Sequence, residues 1–179
     1  MTAIDRERLA SQQETAPRRK SILLLTAGIL TLVVGFGSFA GGIFGAWYTW
    51  DQAVAQDVTT PDDAAFPETP VRGPFSMWAQ ADIITHHQLD NTEGLYYAQM
   101  PREIPQLDEN GAAVLDENGE EVMVPNEARA SWMNATTLTT ALGLGIVAYA
   151  LSAFAVVIGL TLIVTGYVFL QIRKRAVLL

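Results

Sequence analysis

The amino-acid sequence predicts a mainly α-helical membrane protein, in which a two-helix transmembrane hairpin carries a small extracytoplasmic α+β domain in its loop. Two stretches, residues 21–50 and 130–172, contain no charged residue, and half of the chain is hydrophobic. At about 1.5 Å per helical residue, each stretch exceeds the roughly 30 Å hydrocarbon core of a bilayer. The predicted segments are a cytoplasmic tail (1–20), a first transmembrane helix (21–50), an acidic extracytoplasmic domain (51–131), a second helix that protrudes and then crosses (132–172), and a cytoplasmic tail (173–179).

The distribution of charge predicts the orientation of the hairpin. The N-terminal tail holds five basic residues and the C-terminal tail three, whereas residues 51–131 hold sixteen acids against three arginines, a net charge of −13. Because the cytoplasmic flanks of membrane helices are rich in Lys and Arg, we expect both termini in the cytoplasm and the loop outside the plasma (inner) membrane. The basic tails suit anionic lipid headgroups, and the acidic loop would attract a basic extracytoplasmic partner.

A cleaved signal peptide is the alternative explanation of the first apolar stretch, with Ala53-Val54-Ala55 as the cleavage site. The apolar core of a signal peptide usually has about 7–15 residues, roughly half the length of this stretch. Trp47, Tyr48 and Trp50 also form the kind of aromatic belt that anchors a membrane helix at the interface. We therefore expect the segment to be retained as a membrane helix.

Small residues recur at intervals of three and four along both apolar stretches. In lipid, such residues let helix backbones approach closely, and this alternation is typical of a helix pair. Gly37 and Gly41 extend the small surface of the first helix in another direction, which predicts a docking site for a partner helix, with simple exposure to lipid as the alternative. The residues expected to pack the two helices together are Gly28, Gly35, Ser38, Gly42, Gly45, Gly145, Ser152 and Gly159.

Turn and cap residues predict the elements of the loop. The proline-rich residues 54–72 indicate an irregular connector, and Gly73-Pro74 begins a helix that runs to about Leu89. Pro125-Asn126 begins the last helix, with Asn126 as its cap, and nothing breaks the helical pattern before Arg173.

The loop also contains an internal duplication, Leu107-Asp-Glu-Asn-Gly-Ala-Ala-Val114 followed by Leu115-Asp-Glu-Asn-Gly-Glu-Glu-Val122. Asn-Gly between short apolar runs is a strong turn signal, so we expect a small β-hairpin or a three-stranded meander. A calcium loop is the alternative. However, an EF-hand needs ligands at alternating positions and a Glu at position twelve, and the repeat lacks that spacing.

One cluster of titratable residues lies on the predicted loop helix. Asp82, His86 and Asp90 are four residues apart and share a helix face, so they are weak candidates for a metal site together with His87. Adjacent histidines point about 100° apart, however, and carboxylate–histidine pairs at this spacing are ordinary surface contacts. We therefore expect a structural or partner-facing role, with His86 as a pH-sensitive contact, and assign no metal ligand and no catalytic residue.

The sequence excludes several function classes. The absence of cysteine excludes disulfides, thiolate metal sites and iron–sulfur clusters within this chain. The sequence contains no nucleophile elbow, phosphate-binding loop or dinucleotide fingerprint. Neither apolar stretch carries an acid or a histidine that could serve a proton relay or bind a haem. The basic tails lack interleaved aromatic residues, so nucleic-acid binding is not expected, and no cofactor is assigned.

Three segments resemble a family of small two-span actinobacterial membrane proteins. They are Gly73-Pro-Phe-Ser-Met-Trp-Ala-Gln-Ala-Asp-Ile-Ile-Thr-His-His87, Tyr97-Ala98, and Met133-Asn-Ala-Thr-Thr-Leu-Thr-Thr140. Such proteins often carry the label "aromatic ring-opening dioxygenase", but two neighbouring histidines cannot supply the two histidines and carboxylate that converge on iron in that chemistry. In size and layout the chain is also similar to accessory subunits of the actinobacterial respiratory supercomplex of cytochrome bcc and cytochrome oxidase. That resemblance implies peripheral membrane helices, an outside domain and no cofactor.

These observations favour a non-catalytic accessory subunit of a larger membrane complex, most concretely the respiratory supercomplex. Gly37, Gly41, Trp78 and Trp132 are the residues expected to contact other membrane protein subunits. The alternative is a stand-alone envelope sensor or a binder of a small ligand or cation, with an apolar pocket between the helices around Trp78 and Trp132. A third hypothesis is a metalloenzyme that uses both histidines.

Overall fold

The computed structural model describes the backbone of residues 3–178 and the side chains of residues 21–175. The chain is mostly helical with a small antiparallel sheet, and two helical segments, Ser21–Ala55 and Glu127–Arg175, are long and apolar enough to cross a membrane. To this extent the predicted fold class is confirmed. The elements in chain order are α1 (Ala3–Ala55), α2 (Pro74–Asn91), a 3-10 turn (Tyr97–Gln99), β1 (Glu103–Pro105), β2 (Met123–Pro125) and α3 (Glu127–Leu178).

The chain divides into two compact units. The helix-pair unit consists of Met1–Tyr48 and Ala148–Leu179, and the loop unit consists of Thr49–Val147. The first helix starts earlier than the sequence suggested, because α1 begins at Ala3 and includes most of the segment predicted as a tail. That segment is rich in Ala, Glu, Gln and Arg, which are strong helix formers, so a polar composition alone was a poor guide to its backbone.

Glycines bring α1 and α3 into backbone contact in the helix-pair unit. A Cβ atom at Gly42 would lie 2.6 Å from the carbonyl oxygen of Ser152, and one at Gly35 would lie 2.9 Å from the backbone nitrogen of Ile163. Such distances leave no room for any side chain. Ser38 lies at the same interface, where its hydroxyl donates a hydrogen bond to α3. The other predicted packing residues that lie between the two helices are Gly28, Gly35, Gly42, Gly45, Ser152 and Gly159.

Gly145 is the exception among the predicted packing residues. A Cβ atom at this position would lie 2.7 Å from the sulfur of Met77, so Gly145 admits a side chain of α2 within the loop unit. Its expected role between the two apolar helices is corrected accordingly. The reason is that α2 packs along the first part of α3 and occupies the face that the small residues leave open.

The core of the loop unit is formed where α2 packs on the first turns of α3. Near the C-terminal end of α2, the side-chain nitrogen of Gln88 donates a 2.6 Å hydrogen bond to the hydroxyl of Ser131. Pro at the first position starts α2 as predicted, and the Ser76 hydroxyl accepts the backbone N–H of Gly73 at 3.2 Å. The buried apolar side chains of this unit are Ala64, Val71, Met77, Ala79, Ile83, Trp132 and Ala135.

The connector before α2 is closed by a pair of threonines. Thr60 is 1% exposed and exchanges hydrogen bonds with the backbone of Thr69, whose N–H donates to the Thr60 hydroxyl at 2.9 Å. An isolated bridge pairs Thr59 with Pro70. The segment that the prolines predict to be irregular is therefore a closed loop fixed at its base.

The duplicated segment forms two successive tight turns. The strands β1 and β2 lie outside it and pair in antiparallel register, Ile104 opposite Val124. Inside it, the backbone N–H of Gln106 donates to Val122, that of Val122 to Val114, and that of Val114 to Gln106, at 2.7–2.9 Å. Each repeat also closes on itself through an antiparallel bridge, Leu107 with Ala113 and Leu115 with Glu121. The prediction of small β-hairpins is confirmed to this extent, and the three hydrogen bonds join residues at the eight-residue period of the repeat.

Candidate functional site

Gly37 and Gly41 lie on an open face of α1. Both are exposed, and a Cβ atom at either position meets no atom within 4 Å among the described residues. Their neighbours Gly35 and Gly42, by contrast, are buried against α3. The sequence predicted small residues on two faces of this helix. In the structure, the face with Gly35 and Gly42 packs against α3, and the face with Gly37 and Gly41 is open.

An apolar groove lies beside these two glycines. It is lined by Phe39, Ala40, Ile43, Phe44 and Trp47, and nearly all of its surface is carbon. Residues 37, 41 and 44 share a face at the helical period of 3.6 residues. The glycines, the groove and its aromatic rim form a surface that we call the α1 outer face.

Trp78 contributes to a second exposed apolar surface, in the loop unit. Its indole is 50% exposed and meets the ring of Phe66 edge-on, with centroids 6.5 Å apart. Phe75, one turn earlier on α2, is 76% exposed. The partner contact expected at Trp78 is therefore sterically available, and it includes two further aromatic residues that the sequence did not single out.

Trp132 lies in the core of the loop unit instead of at the expected partner surface. Its side chain is 7% exposed, its indole N–H donates to the carbonyl of Leu95 at 3.0 Å, and its ring stacks on Tyr96 with centroids 5.4 Å apart. One turn before it, the guanidinium of Arg129 lies 3.8 Å above the ring of Tyr97. Trp132 and Arg129 together therefore attach residues 95–97, at the start of the 3-10 turn, to α3.

His87 forms a hydrogen bond with a carboxylate that the sequence did not predict. Its Nε2 lies 2.7 Å from Oδ2 of Asp63 on the closed connector loop, and both side chains are about half exposed. This hydrogen bond, more than any other effect, holds the pKa of the Asp63 carboxyl below its usual value. Asp63 lies 24 residues from His87, so no local spacing could have revealed the pair.

The remaining members of the titratable cluster, Asp82, His86 and Asp90, are exposed on α2. Within residues 21–175, no group of three or more His, Cys, Asp or Glu side chains is arranged to hold a metal ion. The geometry is that of a surface hydrogen bond between a helix and a loop.

A second groove, of about 590 Å³, lies beside the sheet and the start of α3. Its lining includes Ile104, Leu107, Val124 and Glu127, so it is partly polar. A small ligand could be accommodated there. It differs in place from the pocket that the sequence suggested between the helices around Trp78 and Trp132.

The chain matches no protein-family model, no curated protein and no solved structure. Its function is therefore inferred from the surfaces described above.

Proposed function

We propose that the chain is an integral membrane protein with two spans, in α1 and α3, and that it serves as a non-catalytic accessory subunit of a larger membrane complex. Only 11% of the most apolar window of each helix is buried within the structure. A core helix of a water-soluble protein would be largely covered by the rest of its own chain. Exposed apolar residues over this length instead suit a hydrocarbon solvent.

The charge pattern supports one orientation of the two spans. Both termini are proposed to be cytoplasmic because the basic residues concentrate there, and the acidic loop unit is proposed to face the outside of the plasma (inner) membrane. A net negative loop would raise the encounter rate with a basic extracytoplasmic partner.

The open glycine face of α1 supports the docking role. No atom of the described part of α3 packs against Gly37 or Gly41. Closely spaced glycines in a membrane helix allow another backbone to approach, so this face is open to a partner helix. The adjoining groove between Phe39 and Trp47 would receive larger side chains of the same partner helix. We therefore propose the α1 outer face as the docking surface for another subunit.

The proposed complex is the actinobacterial respiratory supercomplex of cytochrome bcc and cytochrome oxidase. This choice rests on the resemblance of the chain, in size and two-span layout, to accessory subunits of that supercomplex. In that setting the chain would carry no cofactor, and its contribution would be to hold larger subunits together.

Purification of the tagged chain from native membranes in mild detergent, followed by quantitative mass spectrometry, tests this proposal. Respiratory subunits should co-purify in fixed ratio with the wild-type chain. Gly37→Leu and Gly41→Leu should lower that yield several-fold, whereas Ala153→Leu, at an exposed position of α3, should leave it unchanged. A chain that purifies alone would overturn the accessory role, and stoichiometric partners from another complex would overturn the respiratory assignment.

The groove beside the sheet supports a second candidate function, a stand-alone sensor or binder of a small ligand. The open space of about 590 Å³ there has both apolar and polar lining. Ligand-induced broadening of the amide signals of Ile104 and Val124, in a screen of small molecules and divalent cations, would favour it. Unperturbed signals alongside co-purifying subunits would decide for the accessory role.

A further inference from the structure

The loop helix α2 runs beside α3 in the opposite direction. Its C-terminal part meets the start of α3 through the Gln88–Ser131 hydrogen bond, and its N-terminal part meets Gly145 through Met77. Fourteen residues of α3 separate these two contacts, a rise of about 21 Å. The N-terminal end of α2 therefore lies far along the uncharged part of α3.

The charged residues of α2 lie toward its C-terminal end, away from the end that contacts Gly145. Residues 73–81 carry no charge, whereas Asp82 lies at the middle of the helix and Asp90 and both histidines lie in its C-terminal half. On α3, the last charged residue before the apolar stretch is Arg129, and Gly145 lies sixteen positions beyond it. The uncharged end of α2 is thus the end beside the apolar stretch of α3.

Three aromatic side chains are exposed at this end. Phe75 is 76% exposed, Trp78 is 50% exposed and Phe66 is 42% exposed, with Phe66 contributed by the closed connector loop. The Asp63–His87 pair joins the same loop to the charged half of α2, about 13 Å along the helix from Trp78. Apolar and charged side chains therefore separate along the length of α2.

We propose that Phe66, Phe75 and Trp78 form a membrane-interface anchor that inserts into the headgroup and upper acyl region of the bilayer beside α3. The inference rests on the proposed membrane span of α3. Trp favours this depth, because its amphipathic ring has an apolar body in hydrocarbon and an N–H among polar groups. Phe, like Trp, is typical of the apolar face that interfacial segments bury at the boundary of headgroups and acyl chains. Continuity with the apolar surface of α3 makes lipid the occupant. The anchor would hold the loop unit flat against the membrane.

The acidic charge of the loop unit sets a condition on this anchor. Asp62 and Glu68 flank Phe66 and are exposed, so anionic headgroups would repel the surroundings of the patch. Insertion should therefore depend on apolar burial, and vesicles that also contain phosphatidylglycerol should favour it no more than vesicles of pure phosphatidylcholine do. High salt should not release it.

Nitroxide labels on single cysteines test the anchor directly, because the chain contains no cysteine of its own. The full chain is reconstituted with the label at Phe75→Cys, at Leu160→Cys on the exposed side of α3, or at Glu117→Cys in the second repeat. Collisions with oxygen report lipid, and collisions with a water-soluble nickel chelate report water. The ratio of oxygen to nickel collisions at position 75 should be several-fold higher than at 117 and lower than at 160.

Each outcome decides between the anchor and the span on which it depends. A label at 160 in lipid with a label at 75 as wet as that at 117 would overturn the anchor and leave the span intact. A label at 160 in water would overturn the span and the anchor together. A label at 75 shielded from both reagents would show cover by protein, such as a second copy, and would also overturn the lipid anchor.

Tryptophan quenching provides a second measurement that keeps Phe75 in place. In a chain carrying Trp47→Phe and Trp50→Phe, lipids brominated near the headgroup should quench the emission of Trp78. The further change Trp78→Phe should abolish most of that quenching, because Trp132 is buried inside the loop unit. Equal quenching with and without Trp78 would contradict the inference.

Discussion

The hydroxyl of Ser38 on α1 donates a 2.9 Å hydrogen bond to the backbone carbonyl of Ala155 on α3, 117 residues away. A bond from a side chain to a helical carbonyl of another helix requires that the two backbones lie very close. The glycines on either side allow that approach, since a Cβ atom at Gly159 would lie 2.5 Å from the backbone nitrogen of Phe39. Close glycine packing and this polar contact therefore form one interface.

Replacement of Gly159 by leucine should separate the helix pair. The new side chain would meet backbone atoms of Phe39 and Gly35, which cannot rotate away. We therefore expect the free energy of unfolding to fall by roughly 3 kcal/mol, the upper end of the range that is typical of overpacking. Unfolding in detergent micelles, followed by far-UV circular dichroism, measures it. Gly37→Leu is the matched control, because that position is open, and equal destabilisation by both variants would contradict the assignment of the two faces.

Replacement of Ser38 by alanine should weaken the same interface slightly. Hydrogen bonds between membrane helices contribute about 0.6 kcal/mol on average, and no atom would be overpacked. Thr26→Ala is the control, because its hydroxyl bonds only within α1, to Ile22 and Leu23, among the described contacts. A double-mutant cycle is unsuitable for a backbone acceptor, so the test is the difference between the two single variants in the same unfolding assay.

Local signals in the sequence predicted where the helices of the loop begin. Pro74 starts α2, and Asn126 caps α3 by accepting the N–H of Arg129 at 3.1 Å, as the cap pattern indicated. These features depend on a few adjacent residues. The contact between α1 and α3 was also predictable, because small residues at intervals of three and four mark the face on which two helix backbones approach each other.

Contacts between distant segments were not predictable from the sequence. Gly145 belongs to the same series of small residues as Gly159, yet its neighbour is Met77 of α2, and only the path of the chain decides that. Trp132 is compatible with an exposed interface anchor or a buried stack, and the position of Tyr96 decides for the stack. The partner of His87 likewise depends on how the connector loop closes.

Removal of the His87 imidazole should raise the pKa of Asp63. The hydrogen bond from His87 lowers that pKa most, and a weaker effect of His86 comes last among the causes. Carboxyl carbon chemical shifts in an NMR titration should therefore show a higher pKa in His87→Gln and only a small change in His86→Gln. Unchanged titration of Asp63 in His87→Gln would contradict the pair.

The same pair predicts the sign of a pH effect on the connector loop. The pKa of Asp63 is lower in the folded than in the unfolded chain, so its stabilising contribution is present above the unfolded pKa. It is lost as pH falls through the folded pKa. Amide hydrogen exchange of the connector loop, extrapolated to a common intrinsic rate, should accelerate over that acidic interval in the wild type and show a smaller pH dependence in His87→Gln.

Asp108 and Asp116 should hold the two repeat turns in equivalent ways. Each carboxylate accepts two backbone N–H groups, from Asn110 and Ala112 in the first turn, at 2.8 and 2.9 Å. The N–H of Ala112 has the largest effect in lowering the pKa of Asp108, and the N–H of Glu120 does the same for Asp116. The left-handed conformations of the turn glycines, with φ of 81° and 83°, complete the equivalence.

Acid should therefore open both turns, and single substitutions should open one at a time. Because both pKa values are lowered by folding, the stabilisation is present above the unfolded pKa and is lost as pH falls through the folded value. Asp108→Ala should accelerate amide exchange at Ala112 and leave the second turn protected, and Asp116→Ala should do the reverse at Glu120. Loss of protection in both turns from either single variant would instead show that the ring of hydrogen bonds through Gln106, Val114 and Val122 makes the repeats one cooperative element.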